Sequence, residues 1–185
     1  MLSFRDAAAA DVPDLHTLVN RAYRGDSSRL GWTTEAHLLG GQRADPEMLL
    51  EMISEAGAVV RLAYAGGGGA GAGTADATEL VGCVQLRMKG HRCYLGMLTI
   101  DPAKQNLGLG RLLLEDAESW ALSRGATAMW MTVIHTRKEL IAWYERRGYV
   151  RTGHFVEFPH HDERYGVVQV QTEDLRMEIL EKKLG

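Results

Sequence analysis

An α/β fold of the α+β kind, a mixed sheet with helices packed on it, is the architecture this sequence predicts. Three observations carry it. Runs of strand length, apolar or alternating, recur along the chain. Longer segments with apolar residues at helical spacing separate them. Glycine and proline punctuate the junctions. The predicted order is β-α-α-β-β-β-α-β-α-β-β with no internal repeat, which calls for layers built on one sheet.

Leu2-Ser3-Phe4-Arg5 alternates like a first strand. Asp11-Val12-Pro13-Asp14 starts a helix: Asp11 caps it, Pro13 is tolerated in the first turn, and Asp14 sits at the positive end of the dipole. Val12, Leu15, Val19, Ala22 and Tyr23 fall on one face, and Arg24-Gly25-Asp26 ends the helix. A second helical stretch is expected over 34–56, broken near Gly40-Gly41, with Met48, Leu49, Met52 and Ile53 on one side.

Residues 59–65 read as a strand, followed by the low-complexity run Gly66 to Gly73. That run lacks the Gly-Lys-Ser/Thr ending of a phosphate loop and no helical pattern follows it, so a flexible hairpin loop over about 66–79 is expected. Residues 80–88 and 92–100 form a hairpin turning near Lys89-Gly90. Closed symmetrically there, it sets Cys83 opposite Gly96 and Cys93 opposite Leu86. The two thiols then point to opposite faces, against a disulfide.

After Asp101-Pro102 a glycine-rich turn enters a strong helix, with Leu109, Leu112, Leu113, Ala117, Trp120 and Ala121 inward and Gly125 as its stop. Residues 128–134 read as a buried strand, 137–147 as a helix stopped by Gly148, and Tyr149 onward as a strand. A polar loop over 158–172 and a last strand over 175–184 complete the chain.

The 185 residues suit one domain, 1–185, and are too few for two of usual size. Lys plus Arg is 21 and Asp plus Glu is 24, giving 21 − 24 = −3. That balance supports neither a nucleic-acid partner nor a polybasic membrane surface. No apolar run reaches the ~18 residues of a membrane span, and Met1 to Asp6 lacks a signal peptide's basic start and apolar stretch. The two cysteines form no CxxC and no His/Cys cluster, and His160-His161-Asp162-Glu163 reads as a solvated loop, so no metal is expected. A cytoplasmic protein is the expectation.

The chemistry concentrates in Leu98-Thr99-Ile100-Asp101-Pro102-Ala103-Lys104-Gln105-Asn106-Leu107-Gly108-Leu109-Gly110-Arg111. A strand ends at proline and a loop enters a helix through Gln-x-x-Gly-x-Gly. Glycines let backbone N–H groups approach an anion, and the helix start adds about half a positive charge, so a pyrophosphate fits without a metal. Lys104 and Arg111 add charge nearby. A dinucleotide fingerprint fails here, because Leu113 stands where its third glycine belongs and no acidic strand end follows. A glycine-rich turn that only aids helix packing is the plain alternative.

This segment resembles the acetyl-CoA-binding signature of the GNAT family of N-acetyltransferases, Gln/Arg-x-x-Gly-x-Gly/Ala after a strand ending hydrophobic-x-hydrophobic-x-Pro. Leu140-Ile141-Ala142-Trp143-Tyr144-Glu145-Arg146-Arg147-Gly148-Tyr149 resembles that family's second motif, and the end from Met177 to Leu184 its last strand. The element order matches along nearly the whole chain, and so does the separation of 144 − 105 = 39 residues from Gln105 to Tyr144.

The resemblance implies a GNAT-like acyl-CoA N-acyltransferase fold, a mostly antiparallel sheet with two splayed parallel strands, here 92–100 and 128–134. It implies an acetyl-CoA-dependent transferase acting by direct attack of an amine in a ternary complex. The acceptor expected is a small-molecule amine. A protein N-terminus or lysine is the alternative acceptor, and a non-catalytic acyl-CoA-binding regulatory module the alternative class. A homodimer is a possible assembly on the resemblance alone.

By the same resemblance Leu98, Thr99 and Ile100 line the pantetheine arm, with the Leu98 N–H polarising the thioester carbonyl and Gly96-Met97 as a bulge. Backbone amides of Gln105, Asn106, Leu107, Gly108, Leu109, Gly110 and Arg111 hold the pyrophosphate. Tyr144 matches the family's general acid toward the departing thiolate; the plain reading is a core aromatic. Where many members carry asparagine, seven residues earlier, this chain has Arg137, read as a phosphate contact or a charged cap. Glu35, Tyr94, His135 and His154 are base candidates, with His135 favoured for its intrinsic pKa. The loops over 23–35 and 158–165 are expected to flank the acyl group, with Trp32, Glu35 and Tyr94 at the acceptor and Asp162 or Glu163 as further ammonium partners. Glu35 in the first turn of a helix capped by Thr34 is the alternative for that residue. Covalent catalysis by either cysteine is not expected.

Overall fold

The computed structural model describes residues 2–66, 78–158, 167–168 and 175–185, the backbone alone for 167–168. Strands β1 (Leu2–Asp6), β3 (Ala58–Ala65), β4 (Glu79–Lys89), β5 (Arg92–Ile100), β6 (Ala128–Ile134), β7 (Val150–Glu157) and β9 (Arg176–Lys183) form one seven-stranded sheet. Its order is β1-β3-β4-β5-β6-β9-β7. Every neighbouring pair is antiparallel except β5 and β6, which run parallel. The expected mixed sheet is thus observed. A second, two-stranded sheet pairs β2 (Leu39–Gly40) with β8 (Val167–Val168).

Helices α1 (Val12–Tyr23) and α3 (Pro46–Ser54) cover one face of the large sheet. Their Leu15, Val19, Met48 and Leu49 pack on Val60, Leu62, Cys83 and Met97. The other face carries α4 (Leu109–Ser123) and α5 (Lys138–Glu145), whose Leu113, Ala117, Ala121, Ile141 and Tyr144 pack on Leu86, Leu95 and Met131. Cys83 and Cys93 lie in these two opposite clusters, as expected, and both are free.

Several boundaries differ from expectation, each for a local reason. Residues 34–45 are not helical. Asp45 Oδ1 accepts from the Met48 N–H at 2.7 Å and Pro46 opens α3, so that helix starts afresh there. The first helix ends at Tyr23, as expected, and a separate four-residue helix α2 (Gly25–Ser28), which was not expected, follows it. The hairpin turns at Gly90-His91, with Cys83 opposite Thr99 and Cys93 opposite Met88, not Gly96 and Leu86. The partner of Cys93 moves by two residues, so its face is kept although its neighbour changes. Leu114, outside the expected apolar face of α4, is buried. The expected glycine-rich hairpin loop lies mostly outside the described residues, and so does most of the polar loop over 158–172. No helix among the described residues is long and apolar enough to cross a membrane.

Candidate active site

The parallel pairing of β5 with β6 lasts three residue pairs and ends at Tyr94 opposite Trp130. Beyond that point the register of β5 on β4 slips: Gln85 faces Gly96 but Cys83 faces Thr99. Two residues of β5, Met97 and Leu98, therefore span one of β4, and Met97 takes a left-handed φ of 51°. The bulge shows in the packing, since Leu95 and Met97 share strand parity yet face opposite core clusters. A left-handed non-glycine residue costs ~1–2 kcal/mol, a strain typical of functional sites. The expected bulge and the expected splayed strands are both present.

A cleft of about 520 Å³ opens along this gap, bounded by residues 97–100 of β5 and 131–134 of β6. At its far end Asp101 accepts from the Ala103 N–H at 2.9 Å and the chain makes one tight turn, Pro102–Lys104. Asn106 and Gly108 then take φ of 64° and 78°, turning the backbone into α4. The first helical bonds return to the Gly108 carbonyl from the N–H groups of Arg111 and Leu112. The amides just ahead of them belong to the helix's unpaired first turn. A Cβ on Gly108 would meet nothing within 4 Å. Open space before bare amides at a helix start is what a diphosphate needs, so these residues fit coenzyme A.

Gln105 has a second task. Its Nε2 donates to the Ile100 carbonyl at 3.3 Å and its Oε1 accepts from the Trp32 N–H at 3.0 Å. This ties the loop before residue 35 to the turn that enters α4, and a Cβ at Gly31 would stand 2.4 Å from that Oε1. Leu107 is exposed and lies outside the cleft wall.

Tyr144 lies on α5, buried, at the cleft wall. Its ring meets Trp143 and Tyr149 edge-on at 5.0 and 5.7 Å. Its hydroxyl has no hydrogen-bond partner among the described residues. Burial, then the neighbouring Tyr23, hold its pKa well above the ordinary phenol value, so it keeps its proton. Tyr23 on α1 donates to the Leu98 carbonyl at 3.0 Å, fixing the bulge from the opposite layer.

Glu35 is buried between two guanidiniums, Arg24 and Arg137, each at 2.7 Å from one of its oxygens. Burial pushes its pKa up, but Arg137, Arg24 and Arg43 outweigh that and hold it below the usual carboxylate value. Arg137 also donates to Thr33 Oγ1 at 2.7 Å. Its two terminal nitrogens thus each hold a protein partner at the cleft wall. The first-turn helical placement considered for Glu35 is not found, because no helix starts there.

Trp32 stands at the rim, 38% exposed, and Tyr94 lines the wall with its ring 4.8 Å from Trp130. The Thr99 hydroxyl turns inward to the Met97 carbonyl at 2.9 Å. The structure does not bring His135 into the cleft wall: its Nδ1 sits 3.0 Å from the Arg176 carbonyl oxygen. His154 is exposed on β7, away from the cleft. Asp162 and Glu163 lie outside the described residues. Sequence reasoning took in Tyr23 and Arg24 only as part of the loop over 23–35 and missed Arg43 altogether. A tyrosine closing an apolar helix face was the one available signal for Tyr23; no short-range pattern marks the two arginines. Burial raises the thiols of Cys83 and Cys93 to about 12 and about 11, and neither lines the cleft. No metal-binding group of three side chains is present among the described residues.

Comparison with known proteins agrees with this fold. The sequence profile described as Acetyltransferase (GNAT) family matches residues 43–149. Among solved structures, the ribosomal-protein-S18-alanine N-acetyltransferase from Escherichia coli superposes with a TM-score of 0.69 at 14% identity, covering 100% of this chain and 95% of that one. A spermidine/spermine N-acetyltransferase from Vibrio cholerae gives 0.63 at 17% identity, over 98% and 92%. The PaiA N-acetyltransferase from Thermoplasma acidophilum, in complex with coenzyme A, gives 0.64 at 16% identity, over 99% of both chains. No curated protein matches by sequence.

Proposed function

From the premise that this chain belongs to the acetyltransferase (GNAT) family, we propose that it is a cytoplasmic N-acetyltransferase, its single domain spanning residues 1–185, that passes the acetyl group of acetyl-CoA directly to a small-molecule amine. One observation carries the reading. The unpaired stretch of β5 past Tyr94, the open turn at Gly108 and the partnerless hydroxyl of Tyr144 border a single cleft.

Acetyl-CoA supplies the activated thioester. The amides of Asn106 to Gly110 hold its diphosphate, those of Gln105 and Arg111 being taken by the carbonyls of Pro102 and Gly108, and the edge of β5 at Leu98 to Ile100 takes its pantetheine arm by strand-like hydrogen bonding. The Leu98 N–H faces the acyl carbonyl and stabilises charge on its oxygen during transfer. The amine nitrogen bonds to the acyl carbon as the carbon–sulfur bond breaks. The amine gives one proton to solvent, and Tyr144 gives its proton to the leaving sulfur and regains one afterwards. A phenol with a raised pKa is fully protonated when that step begins. Two protonated, buried thiols outside the cleft support direct transfer without an acyl-cysteine.

The test is thiol release from acetyl-CoA with an amine panel, beside thermal stability with acetyl-CoA alone. Amine-dependent release together with stabilisation is the expected result. Stabilisation without release by any amine leaves a binding module instead, and no stabilisation removes the cofactor.

A further inference from the structure

At a bulge the strand ladder is interrupted, so side chains must help to set the direction of its peptide units. Met97 and Leu98 stand between the pairs Gln85–Gly96 and Cys83–Thr99. Both of their carbonyls accept from side-chain hydroxyls. Thr99 Oγ1 donates to the Met97 carbonyl at 2.9 Å, and the Tyr23 hydroxyl donates to the Leu98 carbonyl at 3.0 Å. Thr99 is buried. Tyr23 reaches over from α1, 75 residues earlier in the chain, and lines the cleft. Burial holds its phenol above the ordinary pKa, so it stays a donor.

The two hydroxyls act on successive peptide planes. A trans peptide is planar, with its C=O and N–H pointing in opposite directions, and no cis bond occurs among the described residues. The Met97 carbonyl lies in one plane with the Leu98 N–H. Drawn to the Thr99 hydroxyl, that carbonyl turns the Leu98 N–H the other way. The Leu98 carbonyl lies in the next plane, and Tyr23 holds it. Leu98 is therefore anchored on both sides, beside a left-handed Met97 that only over-determined surroundings keep in place. Any buried carbonyl needs a partner. Here both partners converge on the one residue whose N–H the transferase reading uses, and such a donor works only when aimed in advance at the oxygen that gains charge.

We propose that Tyr23 and Thr99 are positioning residues for acyl transfer, which together aim the Leu98 N–H at the thioester oxygen. This rests on the transferase reading and deepens it. Neither hydroxyl touches a reacting atom.

The experiment uses the full chain with Tyr23→Phe, Thr99→Val and Thr99→Ser, and the amine that gives the fastest thiol release in the wild type. Tyr23→Phe and Thr99→Val should each lower kcat about tenfold, a fraction of what deleting an oxyanion donor costs. KM for acetyl-CoA and the stabilisation it gives should stay at the wild-type level. Thr99→Ser, which keeps the hydroxyl, should restore most of kcat. A second readout needs no turnover. A hydrogen bond to the thioester oxygen lowers the carbonyl stretching frequency, so the infrared band of bound, carbonyl-labelled acetyl-CoA should lie higher in Tyr23→Phe and Thr99→Val than in the wild type. Wild-type kcat and frequency in either variant overturn the proposal. So does a lowered Tm with kcat unchanged, or a kcat that falls only in step with acetyl-CoA binding. A wild type that releases no thiol with any amine, or that acetyl-CoA fails to stabilise, overturns the transferase reading itself.

Discussion

Arg137 and Glu35, 102 residues apart in the chain, meet at 2.7 Å in the wall of the cleft, and Arg24 holds the other oxygen of the same carboxylate at 2.7 Å. The contact joins the loop after α2 to the start of α5, the helix that bears Tyr144. Removing the shared carboxylate takes one ion-pair partner from each of two buried guanidiniums. Glu35→Gln should therefore lower unfolding stability by roughly 3–5 kcal/mol, the cost of breaking a buried ion pair from one side. Urea denaturation measures it. An unchanged midpoint would mean the triad carries no net stabilisation.

The same carboxylate predicts a pH dependence. Burial opposes its ionisation, but Arg137, Arg24 and Arg43 outweigh burial and the net pKa is lowered. The folded chain thus binds this proton less readily than the unfolded one. Its contribution is in place above the unfolded value of about 4.3 and fades as pH falls through the lower folded value. The stability gap between wild type and Glu35→Gln should be widest near neutrality and shrink below about pH 4. Urea midpoints of both proteins across that range decide it; a gap that grows on acidification contradicts the assignment.

Tyr144→Phe deletes one oxygen from a ring packed between Trp143 and Tyr149. The packing survives, so stabilisation by acetyl-CoA should persist while kcat drops about 10²–10⁴-fold, the usual worth of a positioned acid. The raised phenol pKa adds a further expectation. Wild-type kcat should show no loss from this group up to about pH 10. Full turnover in the phenylalanine variant would return Tyr144 to the role of a core aromatic.

What was legible in the sequence was what short-range pattern encodes. The strand ends at Arg92–Ile100 and Ala128–Ile134 follow from apolar runs between turn residues, and both match the structure. The glycine-rich turn into α4 was legible because Gly108 stands between a strand ended by proline and an apolar pattern at helical spacing. The stretch over 34–45 was misread, since its apolar residues fill a small side cluster: Leu38 and Leu39 pack with Ile134, Phe158 and Leu175. That cluster is made of residues far apart in the chain, and helical spacing there was coincidental. The partner of Arg137 was illegible for the same reason. Nothing near position 137 announces a carboxylate 102 residues upstream, and an arginine met alone reads as a phosphate ligand.

Burial of the two cysteines gives an independent check on the core. Their thiols are held at about 12 and about 11, mainly by loss of hydration. At pH 8 the native protein should react with a thiol reagent far more slowly than free cysteine does, and in urea both sites should react together. Fast labelling of one site in the native protein would place it at the surface, against the packing described for Cys83 and Cys93.

Gly108 separates backbone strain from anion binding. Its φ of 78° costs any L-residue ~1–2 kcal/mol, while the space where a side chain would begin is empty. Gly108→Ala should lose about that much stability and still respond to acetyl-CoA. Gly108→Glu should fold as well or slightly better than the alanine variant, because a carboxylate at a helix start is favourable. It would, however, put negative charge where the diphosphate sits. A ligand at 100 times its Kd adds about 2.7 kcal/mol of stability to a protein that binds it. That increment should appear in the wild type, survive in large part in Gly108→Ala, and vanish in Gly108→Glu. Since both variants carry the same strain, a full response in the glutamate variant can only mean that the diphosphate binds elsewhere.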